Sequence, residues 1–160
     1  MKEIDIQSRV EKAVSNFKEG YNCAQSVAMA YADLYTVDKE TIAMLSAPFG
    51  GGMGRLREVC GAVTGMFLVL GLEYPANNPD DKAAKTRNYA VVQRTGLLFK
   101  EKMGSYICAD LLKIGRAPQQ PIPDDRNAAY YAKRPCAYCV AVAAEILGKE
   151  LLGLNAEISD

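Results

Sequence analysis

The stretch from Glu58 to Leu72 is apolar on nearly every face of the helix it would form. A helix without a polar side belongs where other helices surround it. At about fifteen residues, it is shorter than the ~20 needed to cross a bilayer. The chain is therefore expected to wrap around this segment. Over the rest of the 160 residues, apolar positions recur at the spacing of amphipathic helices, and no run alternates in the β-branched manner of a strand. The expected fold is all-α, a single-domain helical bundle over residues 1–160, with about seven or eight helices around the central apolar helix at about 58–72.

Start and stop signals place the other helices. The first runs from Asp5 to Lys18, with Ile6, Val10, Ala13, Val14 and Phe17 on one face and Gly20 as its stop. Asn22 caps a second, which turns Ala24, Val27, Ala28, Tyr31 and Leu34 inward; Asp38 caps a third, ended by Pro48. Gly50-Gly51-Gly52-Met53-Gly54 reads as a loop, because glycine costs about 1 kcal/mol per helical position. Asn78-Pro79-Asp80-Asp81 is a start signal for a helix reaching Met103, roughly 37 Å long at ~1.5 Å per residue. Ser105 caps a sixth helix through Leu112, closed by Gly115. Residues 116–124 form a Pro-rich internal loop, expected as a stiff surface connection. A short helix spans Asp125 to Lys133, Pro135 opens the last helix through Leu147, and residues 155–160 are expected to fray.

Charge and residue types narrow the function. With 19 basic and 19 acidic side chains there is no net field to gather a polyanion, so no nucleic-acid binding is expected. No apolar run reaches the ~18 residues of a membrane helix, and the first residues lack the layout of a signal peptide. The expected setting is soluble and cytoplasmic, without membrane insertion. In a reducing compartment five cysteines point to metal binding or catalysis rather than a disulfide framework. The chain has no histidine, which removes imidazole triads, histidine zinc helices and the usual proximal haem ligand. Cys136-Ala137-Tyr138-Cys139 is followed by Val140 where haem attachment needs histidine, so no haem is expected.

Cys23, Cys60, Cys108 and Cys136 all fall at the start of an expected helix, where unpaired amides and a partial positive charge favour thiolate over thiol. That placement suits ligands of a metal or iron–sulfur centre for electron transfer or sensing. Four thiolates meeting in one site repel unless protonated, oxidised or bridged by a cation. A second reading is a thiol–disulfide oxidoreductase or redox switch using Cys136 with Cys139 as a dithiol, the first nucleophilic and the second resolving, or Cys136 with another of the four. A third is a non-catalytic helical partner protein in which the cysteines only pack. Gly51, Gly52 and Gly54, followed by Arg55 and Arg57, could support an anion, a cluster or the Cys60 thiolate, or could simply turn the chain sharply. The small residues of Cys60-Gly61-Ala62-Val63-Thr64-Gly65 imply the close approach of a neighbouring helix or a cofactor.

Taken together, Gly20-Tyr21-Asn22-Cys23-Ala24-Gln25, the glycine loop leading into Cys60-Gly61-Ala62-Val63-Thr64-Gly65, Gly104-Ser105-Tyr106-Ile107-Cys108 with Leu111, and Cys136 before Val140 resemble the C-GCAxxG-C-C family of proteins described as redox-active. The likeness runs from about Gly20 to Leu147. It implies that Cys23, Cys60, Cys108 and Cys136 are the four family cysteines and that Cys139 is an addition. It also implies a thiol-based site served by a redox partner protein, without naming a substrate or an oligomeric state. A related domain beside haem domains in multihaem cytochromes points toward an iron–sulfur centre rather than haem here.

Overall fold

The computed structural model describes residues 3–155. Among them are eight right-handed α-helices and no strand: α1 (Ile6–Lys18), α2 (Cys23–Met29), α3 (Lys39–Ser46), α4 (Gly61–Glu73), α5 (Lys82–Met103), α6 (Cys108–Leu112), α7 (Ala128–Lys133) and α8 (Cys136–Leu151). Short 3-10 turns at Ala32–Leu34 and Ala47–Phe49 flank α3. None of the described helices is long and apolar enough to cross a membrane.

Two helices share the centre. The expected core helix is α4, with Ala62, Val63, Met66 and Leu70 fully buried, and it packs on α2, α5 and α8. The last helix is as central, since α8 touches α1, α2, α4 and α5 and buries Val140, Ala143, Ala144 and Leu147. Tyr31, just past the end of α2, packs on α8, its hydroxyl donating to the carbonyl of Ala144 at 2.7 Å. At the far end of α8, the buried carboxylate of Glu150 is bonded by Arg94 of α5 and by Nδ2 of Asn155. Asn155 is thus anchored rather than frayed, and the remainder of the expected tail, 156–160, lies outside the described residues.

Several helix starts differ from the sequence expectation for a common reason: a polar residue can cap a turn as readily as a helix. Asn78 accepts from the amide of Asp80 in a turn, and it is Asp81, accepting from Ala84, that caps α5. Ser105 accepts from Ile107, so α6 begins only at Cys108. It ends at Lys113 in the left-handed conformation, not at Gly115. Asn127, accepting from Tyr130, moves the start of α7 inward from Asp125, and α8 runs on past Leu147 to Leu151.

The caps of α2 and α3 stand where the residues indicated. Asn22 accepts from the amide of Gln25 while the Gln25 side chain accepts from the amide of Asn22, a reciprocal capping box one residue before Cys23. Asn22→Ala should cost about 1 kcal/mol. The melting temperature should then fall by roughly 2–4 °C for a chain of this size; an unchanged melting curve would show that the cap is dispensable.

Candidate functional site

Helix starts and one short bridge bring the cysteines together. Cys23 and Cys136 are the first residues of α2 and α8, Cys108 is the first of α6, and Cys60 is the N-cap of α4. Ahead of α4 and α6, Val59 and Ile107 form an antiparallel bridge. The Cys60 amide donates to Tyr106 at 2.8 Å and the Cys108 amide to Glu58 at 2.6 Å. This ties two cysteines forty-eight positions apart to one backbone junction. Gly61 and Gly65 supply the rest. A Cβ on Gly61 would lie 3.2 Å from the Cys23 Cβ, and one on Gly65 would lie 2.5 Å from the carbonyl oxygen of Ala24. The small residues of α4 therefore answer to a neighbouring helix, α2.

The outcome is a cavity of about 350 Å³ lined by all five cysteines, Cys23, Cys60, Cys108, Cys136 and Cys139. Gly51, Gly52, Gly54, Arg55 and Arg57 line it as well. The glycine segment is a loop of unusual hand. Gly51, Gly52, Met53, Gly54, Arg55 and Arg57 all have positive φ, and the Gly54 amide closes a left-handed turn onto the Gly50 carbonyl at 2.9 Å. Left-handed backbone costs a non-glycine residue roughly 1–2 kcal/mol, so Met53, Arg55 and Arg57 are held there by their surroundings. A Cβ at Gly52 would come within 2.5 Å of the Cys108 Cβ, which accounts for glycine at that position.

The two arginines reach across to the Pro-rich segment. Arg55 donates to the Gln120 carbonyl at 2.7 Å, to Gln119 Oε1 at 3.1 Å and to Asp124 at 3.0 Å. Arg57, only 2 % exposed, donates twice to Gln119 Oε1 and points its third nitrogen at the Cys108 sulfur, 3.4 Å away. Residues 116–124 are thus pinned over the cavity as a strap, with Pro121 and Pro123 in its wall. They are a surface connection, exposed along 116–123, that is tied down at Gln119, Gln120 and Asp124. The arginine contact falls on Cys108 and not on Cys60, the partner expected from the sequence.

The sulfurs interact in pairs. Cys23 and Cys136 lie within hydrogen-bonding reach of each other, as do Cys139 and Cys60, and in each pair the first-named thiol holds its proton while the second ionises more readily. The hydrogen bond from Cys23 lowers the Cys136 pKa to about 7, against an opposing effect of burial, with further help from Arg134, Arg126 and Arg57. Cys23, the donor, is correspondingly raised well above the ordinary thiol value, with burial adding to the effect. In the inner pair, the hydrogen bond from Cys139 and the amides of Ala62 and Val63 lower the Cys60 pKa, while Cys139 is driven up. Burial raises Cys108 despite Arg57. Cys136 and Cys139, neighbours on one helix, therefore each find a hydrogen-bond partner on another element. Cys23 and Cys136 are half-buried, whereas Cys60 and Cys139 are 6 % and 2 % exposed.

Arg126, Tyr130 and Arg134 belong to this site without having been singled out from the sequence. Arg126 donates to the carbonyls of Phe17 and Tyr21 and lies 4.8 Å from the Tyr130 ring, as does Arg134. Burial, with the neighbouring Cys136, pushes the Tyr130 hydroxyl up to about 12. The available signal was Arg134-Pro135-Cys136, a cation two positions before a cysteine at a helix start.

As to a metal, no group of three or more cysteine, histidine or carboxylate side chains among the described residues stands together so as to hold an ion. Neither the curated proteins nor the solved structures contain a match to the chain. A family model described as "Putative redox-active protein (C_GCAxxG_C_C)" matches residues 21–150, which carry the whole cavity and all five cysteines. The chain belongs to that C_GCAxxG_C_C family.

Proposed function

We propose that the protein performs thiol–disulfide exchange, with Cys136 as the attacking thiolate and Cys23 as the resolving thiol. The observation that carries this reading is the Cys23–Cys136 pair itself, one thiol hydrogen-bonded to the other in the wall of a cavity, with Cys136 brought down to about 7. Near neutral pH such a thiol is about half ionised yet keeps much of its nucleophilicity, the optimum for exchange.

The Cys136 thiolate attacks one sulfur of a substrate disulfide, forms a mixed disulfide and expels the first substrate thiolate. Cys23 then gives up its proton and attacks the Cys136 sulfur. The Cys23–Cys136 disulfide forms and the second substrate thiolate leaves. Two electrons pass from the protein dithiol to the substrate, and a dithiol partner, small molecule or protein, returns them in the reverse sequence. A reducing compartment such as the cytoplasm suits this cycle. The alternative of a metal or iron–sulfur centre on Cys23, Cys60, Cys108 and Cys136 draws on their sharing one cavity.

Alkylation by iodoacetamide in oxygen-free buffer tests the reading. Only thiolate reacts, so the rate at Cys136, located by peptide mass analysis, should rise with pH through a midpoint at about 7. A midpoint near the ordinary thiol value of about 9 would overturn the proposal. So would iron or zinc retained in stoichiometric amount with Cys136 blocked by it.

A further inference from the structure

We infer that the cavity binds anionic substrates, and specifically low-mass disulfides or thiols that carry a carboxylate close to the sulfur. This deepens the thiol–disulfide reading and depends on it for the reaction, though not for the binding. The chain as a whole is neutral, with 19 charges of each sign. The cavity wall is not: its charged side chains are Arg55, Arg57, Arg126 and Arg134, against the one carboxylate of Asp124.

Asp124 is shared, bonding Arg55 at 3.0 Å and Arg134 at 2.5 Å. Neither Arg57 nor Arg126 has a carboxylate within ion-pairing distance among the described residues; their partners are an amide oxygen, backbone carbonyls and the Cys108 sulfur. With Cys136 ionised, the four guanidinium charges still exceed the two negative ones. With Cys60 ionised as well they exceed three. Charge of one sign in a low-dielectric cleft focuses the field on its contents, and a guanidinium offers paired donors to a carboxylate. At about 350 Å³ the space lies at the small end of the ligand-pocket range of roughly 300–1,000 Å³, which sets the low molecular mass.

The experiment compares two disulfide probes on the whole reduced protein: dithiobis(nitrobenzoate), with a carboxylate on each ring, and dithiodipyridine, which has none. Each rate is divided by that of the same probe with a free small thiol. The anionic probe should be preferred by about tenfold or more, and added neutral salt should erode that preference. Arg134→Gln should reduce the preference several-fold and Arg134→Lys should retain most of it. Because both probes meet the same thiolate, their ratio cancels any change in the Cys136 pKa. Arg134 is partly exposed, and a thermal melt verifies that the variant is folded.

A second arm separates this inference from the reaction. Cys136→Ser, which cannot begin exchange, should still bind nitrobenzoate saturably in equilibrium dialysis, more weakly in high salt or with Arg134→Gln added. Binding without exchange in the unsubstituted protein would uphold the anion site and remove the redox reading. A probe ratio near unity that ignores salt, together with no saturable binding, would overturn the inference.

Discussion

Cys23→Ser is expected to yield a protein that reacts once with a disulfide and then stops, its turnover reduced at least ~100-fold with a mixed disulfide trapped on Cys136. The serine hydroxyl can still donate to the Cys136 sulfur, so the nucleophile keeps its low pKa while the resolving sulfur is gone. Cys136→Ser should abolish even the first step. Cys23→Ala separates the two roles of Cys23, because it removes the hydrogen bond that chiefly lowers the Cys136 pKa. If that pKa returned from about 7 to about 9, thiolate at neutral pH would fall roughly fifty-fold. A more basic thiolate is about eight times more nucleophilic over that interval, at a Brønsted slope of ~0.4–0.5. The first step should therefore slow by only about sixfold. Mass analysis of the trapped adduct and single-turnover rates read both effects; normal turnover by Cys23→Ser would end the assignment of Cys23 as the resolving thiol.

The ground for proposing Cys23 rather than Cys139 in this part lies beyond what spacing reveals. Cys136 and Cys139 sit three apart, so a local dithiol was the natural sequence reading. Helix α8, however, is packed between α2 and α4, and its first turn meets a different sulfur on each side. Periodicity reports which face of a helix is buried. It is silent about which of two neighbouring helices lies against a given residue.

The same limit explains other differences. The bundle, its apolar centre and the caps at Asn22 and Asp38 follow from local patterns, and each is found. The start of α5 moved because Asn78, Asp80 and Asp81 are all capable caps, and the choice among them is made by the turn that Asn78 closes. The Pro-rich loop at 116–124 could be read, but not its place over the cavity. Its position depends on Arg55 and Arg57 meeting Gln119, Gln120 and Asp124 across more than sixty residues, and on a left-handed turn that glycine permits but does not require. What could be read was the clustering of thiols at helix starts; what could not was the ring of arginines, since Arg126 and Arg134 sit in short, weakly patterned segments.

Glycine in α4 provides a test of the packing that assembles the site, because one substitution made twice in the same helix should act with opposite sign. Gly71 faces solvent and a Cβ there would meet nothing within 4 Å. Gly71→Ala should therefore stabilise the protein by up to ~1 kcal/mol, the helix preference of alanine over glycine. At Gly65 the same methyl group would stand 2.5 Å from the Ala24 oxygen, 2.9 Å from its Cα and 3.0 Å from its carbonyl carbon. These are backbone atoms, so no side chain can rotate away, and α2 must shift as a unit. Overpacking of this kind typically costs ~1–3 kcal/mol, and its rigidity here should outweigh the helix preference to leave a net loss of about 2 kcal/mol. Because Cys23 begins the displaced helix, the loss should extend beyond stability: the Cys23–Cys136 hydrogen bond should weaken and the alkylation midpoint of Cys136 should move upward from about 7. Denaturant unfolding and pH-dependent alkylation of both variants read this directly. If Gly65→Ala matched Gly71→Ala in stability and kept the Cys136 midpoint, close contact between α2 and α4 could not be what positions the reactive pair.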